Sequence, residues 1–293
     1  VTYGAIIVPI LQDFSPNDVH HNINHSESVF LFVSDRIWDT LEEEMIEDVR
    51  GVFSLSDFRC LHQRDGESIQ KLLKGMDEKM AEKYPDGFGK DDIEYAELDN
   101  DKVVLLNYTS GTTGFSKGVM LTGNNLAGNV MYGIELGVLY RGERELCFLP
   151  LAHAYSCAFN FLVPMAVGAH VYLLGKVPSP KILSVSYTHL RAHEKIYKKM
   201  ILPQLSKTTM KVALNIPLLD SRIYAQIRKK LVDAFGGRFR EVIVGGAAMN
   251  EEVTNFLYKI KFPFTIGYGM TECGPLISYD HNDEYVPGSC GQI

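Results

Sequence analysis

Tyr108-Thr109-Ser110-Gly111-Thr112-Thr113-Gly114-Phe115-Ser116-Lys117-Gly118 runs between the apolar segment 103–107 and Val119-Met120-Leu121-Thr122. Three glycines, five Ser/Thr hydroxyls and one lysine fall within these eleven positions. Glycine lets backbone amides turn inward, hydroxyls add donors, and lysine brings a mobile positive charge; together they suit a polyphosphate. Two better-known motifs are imitated but not matched. A Walker loop needs lysine directly after its last glycine and then Ser or Thr. Here Phe115 and Ser116 separate Gly114 from Lys117, and Gly118 follows, so a phosphate-loop helix is not expected. Gly114-Phe115-Ser116-Lys117-Gly118 also satisfies G-x-S-x-G, which would make Ser116 a hydrolase nucleophile. Such an elbow needs a strand running into its first glycine and a helix after its serine; this one follows a polar loop and leads into β-forming residues. A plain Ser/Gly surface turn is the bland alternative.

Outward from this loop, apolar runs recur at 5–11, 29–33, 49–55, 103–108, 169–174 and 241–244, with amphipathic stretches between them. This alternation predicts an α/β fold of layered β-sheets flanked by helices. Ile37, Leu41, Met45 and Ile46 repeat at helical spacing, as do Ile223, Ile227, Leu231 and Phe235 before Gly236-Gly237. Residues 86–101, rich in Asp and Glu, read as a solvated surface connection. Residues 146–175 carry no charged side chain, but Pro150, His153, Asn160, Pro164 and His170 interrupt them. Buried helix and strand are expected there rather than a membrane span. Residues 184–194 are polar and without period where the alternation calls for another buried strand, so we read them as foreign to the surrounding sequence.

The chain has 293 residues, enough for one large domain or two ordinary ones. Hydrophobic residues make up 46% and charged residues 22%, which excludes a disordered or collagen-like chain. A net charge of −7 gives no broad footprint for nucleic acid. Cys60, Cys147, Cys157, Cys273 and Cys290 form no CxxC pair, so neither a disulfide framework nor a zinc ribbon is expected; a reducing cytoplasm fits. His21 with His25 and His189 with His193 are spaced i, i+4, but neither pair encloses the glutamate that a helical zinc protease site requires. The chain starts at Val1 without a signal peptide, and truncation at its start is expected.

Further segments complete a pattern. Phe148-Leu149-Pro150-Leu151-Ala152-His153-Ala154-Tyr155, Gly245-Gly246-Ala247-Ala248 and Gly267-Tyr268-Gly269-Met270-Thr271-Glu272 follow the glycine-rich loop in order. Together these segments resemble the motifs of the adenylate-forming (AMP-binding) ligases, most of all the long-chain fatty acid-CoA ligases. The resemblance implies an incomplete N-terminal domain over residues 1–293, with residues 1–100 part of a first α/β subdomain and 101–293 a nucleotide-binding core. The family's C-terminal domain, with its catalytic lysine, would be absent. It implies a phosphate loop of Thr109, Ser110, Gly111, Thr112, Thr113 and Gly114, and an adenine-binding part of the nucleotide site built by Gly245, Gly246, Ala247, Gly267, Tyr268, Gly269 and Met270; the aspartate for the ribose hydroxyls would lie outside these residues. Lys117, Thr271, Glu272 and His153 would be the catalytic residues, with Glu272 as the Mg2+ ligand. ATP, Mg2+ and coenzyme A would be used, and a fatty acid would be activated to acyl-AMP and then acyl-CoA. No nucleic acid would take part; the protein would be cytoplasmic, with peripheral association at the inner membrane surface open. A ligase for an aryl or amino acid, and a non-catalytic ATP- or AMP-binding module, are the alternative readings. No general base is needed, because a carboxylic acid is already ionised at neutral pH.

Overall fold

The computed structural model describes residues 3–64, 69–97, 99–109, 116–147, 149–174, 189–193, 221–234, 237, 240–246 and 248–292. They form two compact units, Val1–Gly123 and Asn124–Ile293.

In the first unit, α1 (Pro16–His25) begins where Ser15 caps it, the hydroxyl accepting from the Asp18 amide at 3.2 Å, with proline and Asp18 in the first turn. Its apolar side chains Val19 and Ile23 pack with Val33, Ile46, Val49 and Val52. That core lies against a sheet ordered β1 (Phe30–Val33), β2 (Gly51–Ser54), β3 (Cys60–Gln63), parallel then antiparallel. The stripe of Ile37, Leu41, Met45 and Ile46 does not make one helix. Helix α2 (Asp35–Trp38) stops after four residues, and a 3-10 turn follows at Glu43–Met45. Thr40 ends the helix by turning its hydroxyl back onto the Ile37 carbonyl at 2.7 Å, and Met45 is left half exposed. Helices α3 (Ile69–Lys74) and α4 (Met76–Lys83) follow. The acidic connection after them is almost wholly exposed, with one 3-10 turn at Lys90–Asp92. The run 5–11 forms no strand of its own; Ile7 makes a single bridge to Leu105. Strands β4 (Val103–Thr109) and β5 (Lys117–Thr122) pair antiparallel as a hairpin.

The second unit opens with α5 (Gly123–Glu135) and is built on a five-stranded sheet. Its strands are β6 (Arg144–Cys147), β7 (His170–Leu173), β8 (His189–His193), β9 (Glu241–Gly245) and β10 (Phe264–Ile266), in the order β10-β9-β8-β6-β7, all parallel. Residues 146–174 thus resolve into strand and helix: between β6 and β7 lie α6 (Ala154–Cys157), a π-helical turn at Ala158–Leu162, and α7 (Val163–Val167). Helix α8 (Ser221–Ala234) carries the Ile223, Ile227, Leu231 stripe, and Leu231 and Ile227 pack on the core. Helix α9 (Glu251–Lys259) is capped by Asn250, which accepts from the Val253 amide at 3.2 Å. Its Val253, Phe256 and Leu257 meet Val242, Val244 and Phe264 in one buried cluster. Two short strands, β11 (Tyr268–Gly269) and β12 (Leu276–Ser278), pair antiparallel. Among the described residues no helix is long and apolar enough to cross a membrane.

Within the window 184–194, β8 occupies the middle of the sheet, with Leu190 opposite both Leu146 and Val242. Strand pairing is made by backbone groups, and β6 and β9 each offer a row of donors and acceptors that must be paired. That demand overrides a polar, period-free sequence. The remaining positions of the window, and Phe235 and Gly236, lie outside the described residues.

Candidate nucleotide site

In the first unit, the hairpin places Thr109 directly across from Lys117, and Tyr108 across from Gly118. The glycine-rich segment therefore spans the open end of two antiparallel strands, and no helix follows Lys117. Ser110, Gly111, Thr112, Thr113 and Gly114 lie outside the described residues. Lys117 is exposed, whereas Ser116 is buried and donates to Asn22 Oδ1 at 2.5 Å. A serine so enclosed and so bonded is not a nucleophile on an exposed elbow. Gly118 has a packing reason: a Cβ there would lie 3.0 Å from Leu106 Cδ1 and 3.3 Å from Tyr108 Cζ. Without it the Tyr108 ring lies close over the facing strand, with its hydroxyl 2.7 Å from His25 Nδ1. Burial pushes the Tyr108 phenol above its ordinary value, opposed by a hydrogen bond from Ser26, so it serves as a neutral hydroxyl.

In the second unit, the ends of β9 and β10 converge. A Cβ on Gly245 would sit 3.3 Å from the Gly267 carbonyl oxygen, a tight contact that a side chain could make only if the facing segment gave by a few tenths of an ångström. Gly246 continues with φ +86°, a left-handed turn away from the strand end. At Gly269 a Cβ would lie 2.0 Å from the Pro275 carbonyl oxygen, which closes the short β11–β12 ladder too tightly for any side chain. Tyr268 stands 53% exposed between these glycines, with Met270 43% exposed beside it. Thr271 and Glu272 lie in a 3-10 turn, Thr271 half-buried and Glu272 exposed. An accessible ring face and accessible oxygens at the carboxyl ends of parallel strands are where a doubly wound sheet presents ligand-binding groups. Ala247 lies outside the described residues.

Behind this surface runs a buried polar network that sequence reasoning missed. Glu241, fully buried at the start of β9, accepts from the Tyr279 hydroxyl and, through Oε2, from the Asn282 amide and side chain, both at 3.2 Å. His281 Nδ1 lies 3.1 Å from the Tyr279 hydroxyl and 3.5 Å from Glu241, and its Nε2 is 2.5 Å from the Leu136 carbonyl. The network ties the segment that follows Glu272 back onto the strand that ends in Gly245. Only a glutamate inside an apolar strand hinted at it.

His153 is the N-cap of α6: its Nδ1 accepts from the Tyr155 amide at 3.3 Å, and the residue is exposed, not a core histidine. The π-helical turn that follows buries Ala158, Phe159 and Asn160. Burial pushes the Cys157 thiol up, so it is a protonated group rather than a nucleophile. The rings of His21 and His25 lie side by side on α1, centroids 5.4 Å apart and tilted by 31°, and His25 is engaged by Tyr108. His189 and His193 lie on β8, where four residues separate two positions by about 13 Å, too far to share an ion.

Comparison with known proteins gives these features a common frame. A model of the AMP-binding enzyme family matches residues 1–293. The chain belongs to the AMP-binding enzymes. Among curated members of that family, it is 32% identical over 206 residues to 4-coumarate-CoA ligase 1 of Narcissus pseudonarcissus, covering 66% of this chain and 34% of that protein. To long chain acyl-CoA synthetase 6, peroxisomal, of Arabidopsis thaliana it is 27% identical over 318 residues, covering 92% of this chain and 45% of that protein. The chain spans half or less of the length of these relatives. The structure of the anthranilate CoA ligase AuaEII in complex with anthranoyl-AMP superposes with a TM-score of 0.71 at 17% identity, over 100% of this chain and 50% of that one. ATP-bound MatB from Rhodopseudomonas palustris gives 0.67 at 20% identity, over 99% and 50%. The architecture is the N-terminal part of the adenylate-forming ligase fold, and the expected α/β class holds.

Proposed function

We propose that these residues are the nucleotide-binding part of an acid-thiol ligase, which uses ATP to convert a carboxylic acid to acyl-AMP and then passes the acyl group to coenzyme A. The observation that carries this reading is the Thr109–Lys117 pair at the mouth of a strand hairpin, in a chain matched throughout by the AMP-binding family. The acid arrives ionised, so the site supplies alignment and charge neutralisation rather than a base. Lys117 offsets charge on the departing pyrophosphate, together with Thr109 and the residues 110–114. Tyr268 stacks on the adenine, flanked by Gly245, Gly246, Gly267 and Gly269, and Thr271 donates to the α-phosphate. Glu272 suits Mg2+: one accessible carboxylate fits a hard ion that fills its shell with phosphate oxygens and water, and is too few donors for an all-protein cage. That ion would draw charge from the phosphates. His153, held at the head of α6, borders the carboxylate.

For the acid we infer a long-chain fatty acid, supported by the 92% coverage of this chain by a long chain acyl-CoA synthetase and by the apolar turn and helix at 158–167. Aryl acids are the second reading, favoured by the similarity to a 4-coumarate-CoA ligase. The test is acid-dependent exchange of pyrophosphate into ATP with a panel of fatty and aryl acids, run on this chain and on the full reading frame that carries it. Exchange with palmitate above coumarate supports the fatty acid; the reverse assigns an aryl substrate. Nucleotide binding without exchange under any acid by the full reading frame leaves a non-catalytic module; this chain alone, lacking the family's C-terminal lysine in the reading above, is expected to show negligible exchange.

A further inference from the structure

We propose that Asn22 and His25 of α1 are positioning residues for the phosphate hairpin, each holding one of its two strands. This rests on the nucleotide reading above, but the contacts that carry it belong to a helix which that reading does not use. Asn22 and His25 are three residues apart, on one side of the helix. His25 Nδ1 meets the Tyr108 hydroxyl at 2.7 Å, with the rings edge-on at 5.8 Å and 80°. Asn22 Oδ1 accepts from Ser116 Oγ at 2.5 Å. Tyr108 immediately precedes Thr109 on β4, and Ser116 immediately precedes Lys117 on β5. One helical turn therefore grips both strands next to the pair from which the glycine-rich segment springs.

The energetics point to position rather than stability. Asn22 is 0% exposed beside the buried apolar Val19 and Ile23 of α1, and its Nδ2 has no hydrogen-bond partner among the described residues. A buried amide with an unpaired donor costs stability, and an apolar side chain of similar size would fill the place at less cost. What the amide provides is a directional contact that sets where Ser116, and hence the root of Lys117, lies. Charge placed at a reacting phosphate is useful only where its supporting contacts are held.

The double substitution Asn22→Leu with Ser116→Ala removes both polar partners at once, and Tyr108→Phe releases the other strand. For the double variant we expect a melting temperature equal to or above that of the wild type, because no buried group is left unpaired. Affinity for ATP with Mg2+, by calorimetry, should fall roughly tenfold in each variant, while affinity for adenosine, which has no phosphate, stays unchanged. Hydrogen exchange should quicken in 103–109 and 117–122 and stay constant in 241–245. Unchanged exchange in those two strands overturns the proposal whatever the nucleotide data show, and so does an equal loss for ATP and adenosine. A wild type without ATP affinity overturns the nucleotide reading instead, and the exchange pattern then decides the role of α1 alone.

Discussion

The hairpin of the first unit and the strand-end surface of the second are positioned by opposite means. At the hairpin, polar side chains do the holding: Asn22 and His25 reach from a helix to Ser116 and Tyr108, and Lys117 stands free at the end. Around Tyr268 missing side chains let backbone approach backbone: a Cβ on Gly269 would collide with the Pro275 carbonyl, and one on Gly245 would crowd that of Gly267. The difference matches the chemistry proposed for each. Phosphate oxygens need donors and positive charge at fixed places, which side chains provide; a flat ring needs room and a face, which glycines beside an aromatic provide. Polar bracing is present in the second unit too, but behind the glycines: the Glu241 network, and Asn129, whose side chain accepts from the Leu276 amide at 2.9 Å and donates to the Cys273 carbonyl at 3.3 Å.

The comparison breaks most visibly at Lys117. Replacing it with alanine removes the positive charge at the phosphate end, and acid-dependent pyrophosphate exchange should fall about 10²–10³-fold with little change in melting temperature; retained exchange would remove Lys117 from the mechanism. Glu241→Ala probes the brace, because it strips the acceptor from Tyr279 and Asn282 in a fully buried place. A loss of about 3 kcal/mol in urea unfolding is expected, and a loss no larger than that of a surface substitution would mean the network holds nothing. Tyr268→Ala should weaken ATP and adenosine alike by roughly tenfold, as expected for a lost stacking face. A variant that weakens ATP alone would move Tyr268 to the phosphate side of the comparison. The smallest effect belongs to Gly118→Ala, whose Cβ would meet Leu106 at 3.0 Å. Because a leucine end can shift, the cost should be about 1 kcal/mol, read from the melting curve.

Much of this was legible before any coordinates. The runs 29–33, 49–55, 103–108, 169–174 and 241–244 each contain or closely overlap a strand, because a short strand buried mostly on both faces reads as a continuous apolar run. The strand after Gly114 could be read from Val119 and its neighbours, which ruled out a phosphate-loop helix. Two readings failed for local reasons. The run 5–11 is apolar yet finds only one bridge, at Ile7. The Ile37 stripe is cut by the back-bonded Thr40. The polar segment His189–His193 is a central strand because its neighbours require a pairing partner.

Residue types and their order determined by themselves which segments of this chain offer the donors, charge and aromatic face that the proposed nucleotide site calls for, since glycine, hydroxyl, lysine and tyrosine bring their chemistry wherever the chain places them. Only the tertiary structure decided what holds those segments. Asn22 lies 94 positions from Ser116, His25 lies 83 from Tyr108, and Glu241 lies 38 from Tyr279. No periodicity links such pairs: a hydrogen bond needs two groups within about 3 Å, and only the folded chain brings them there.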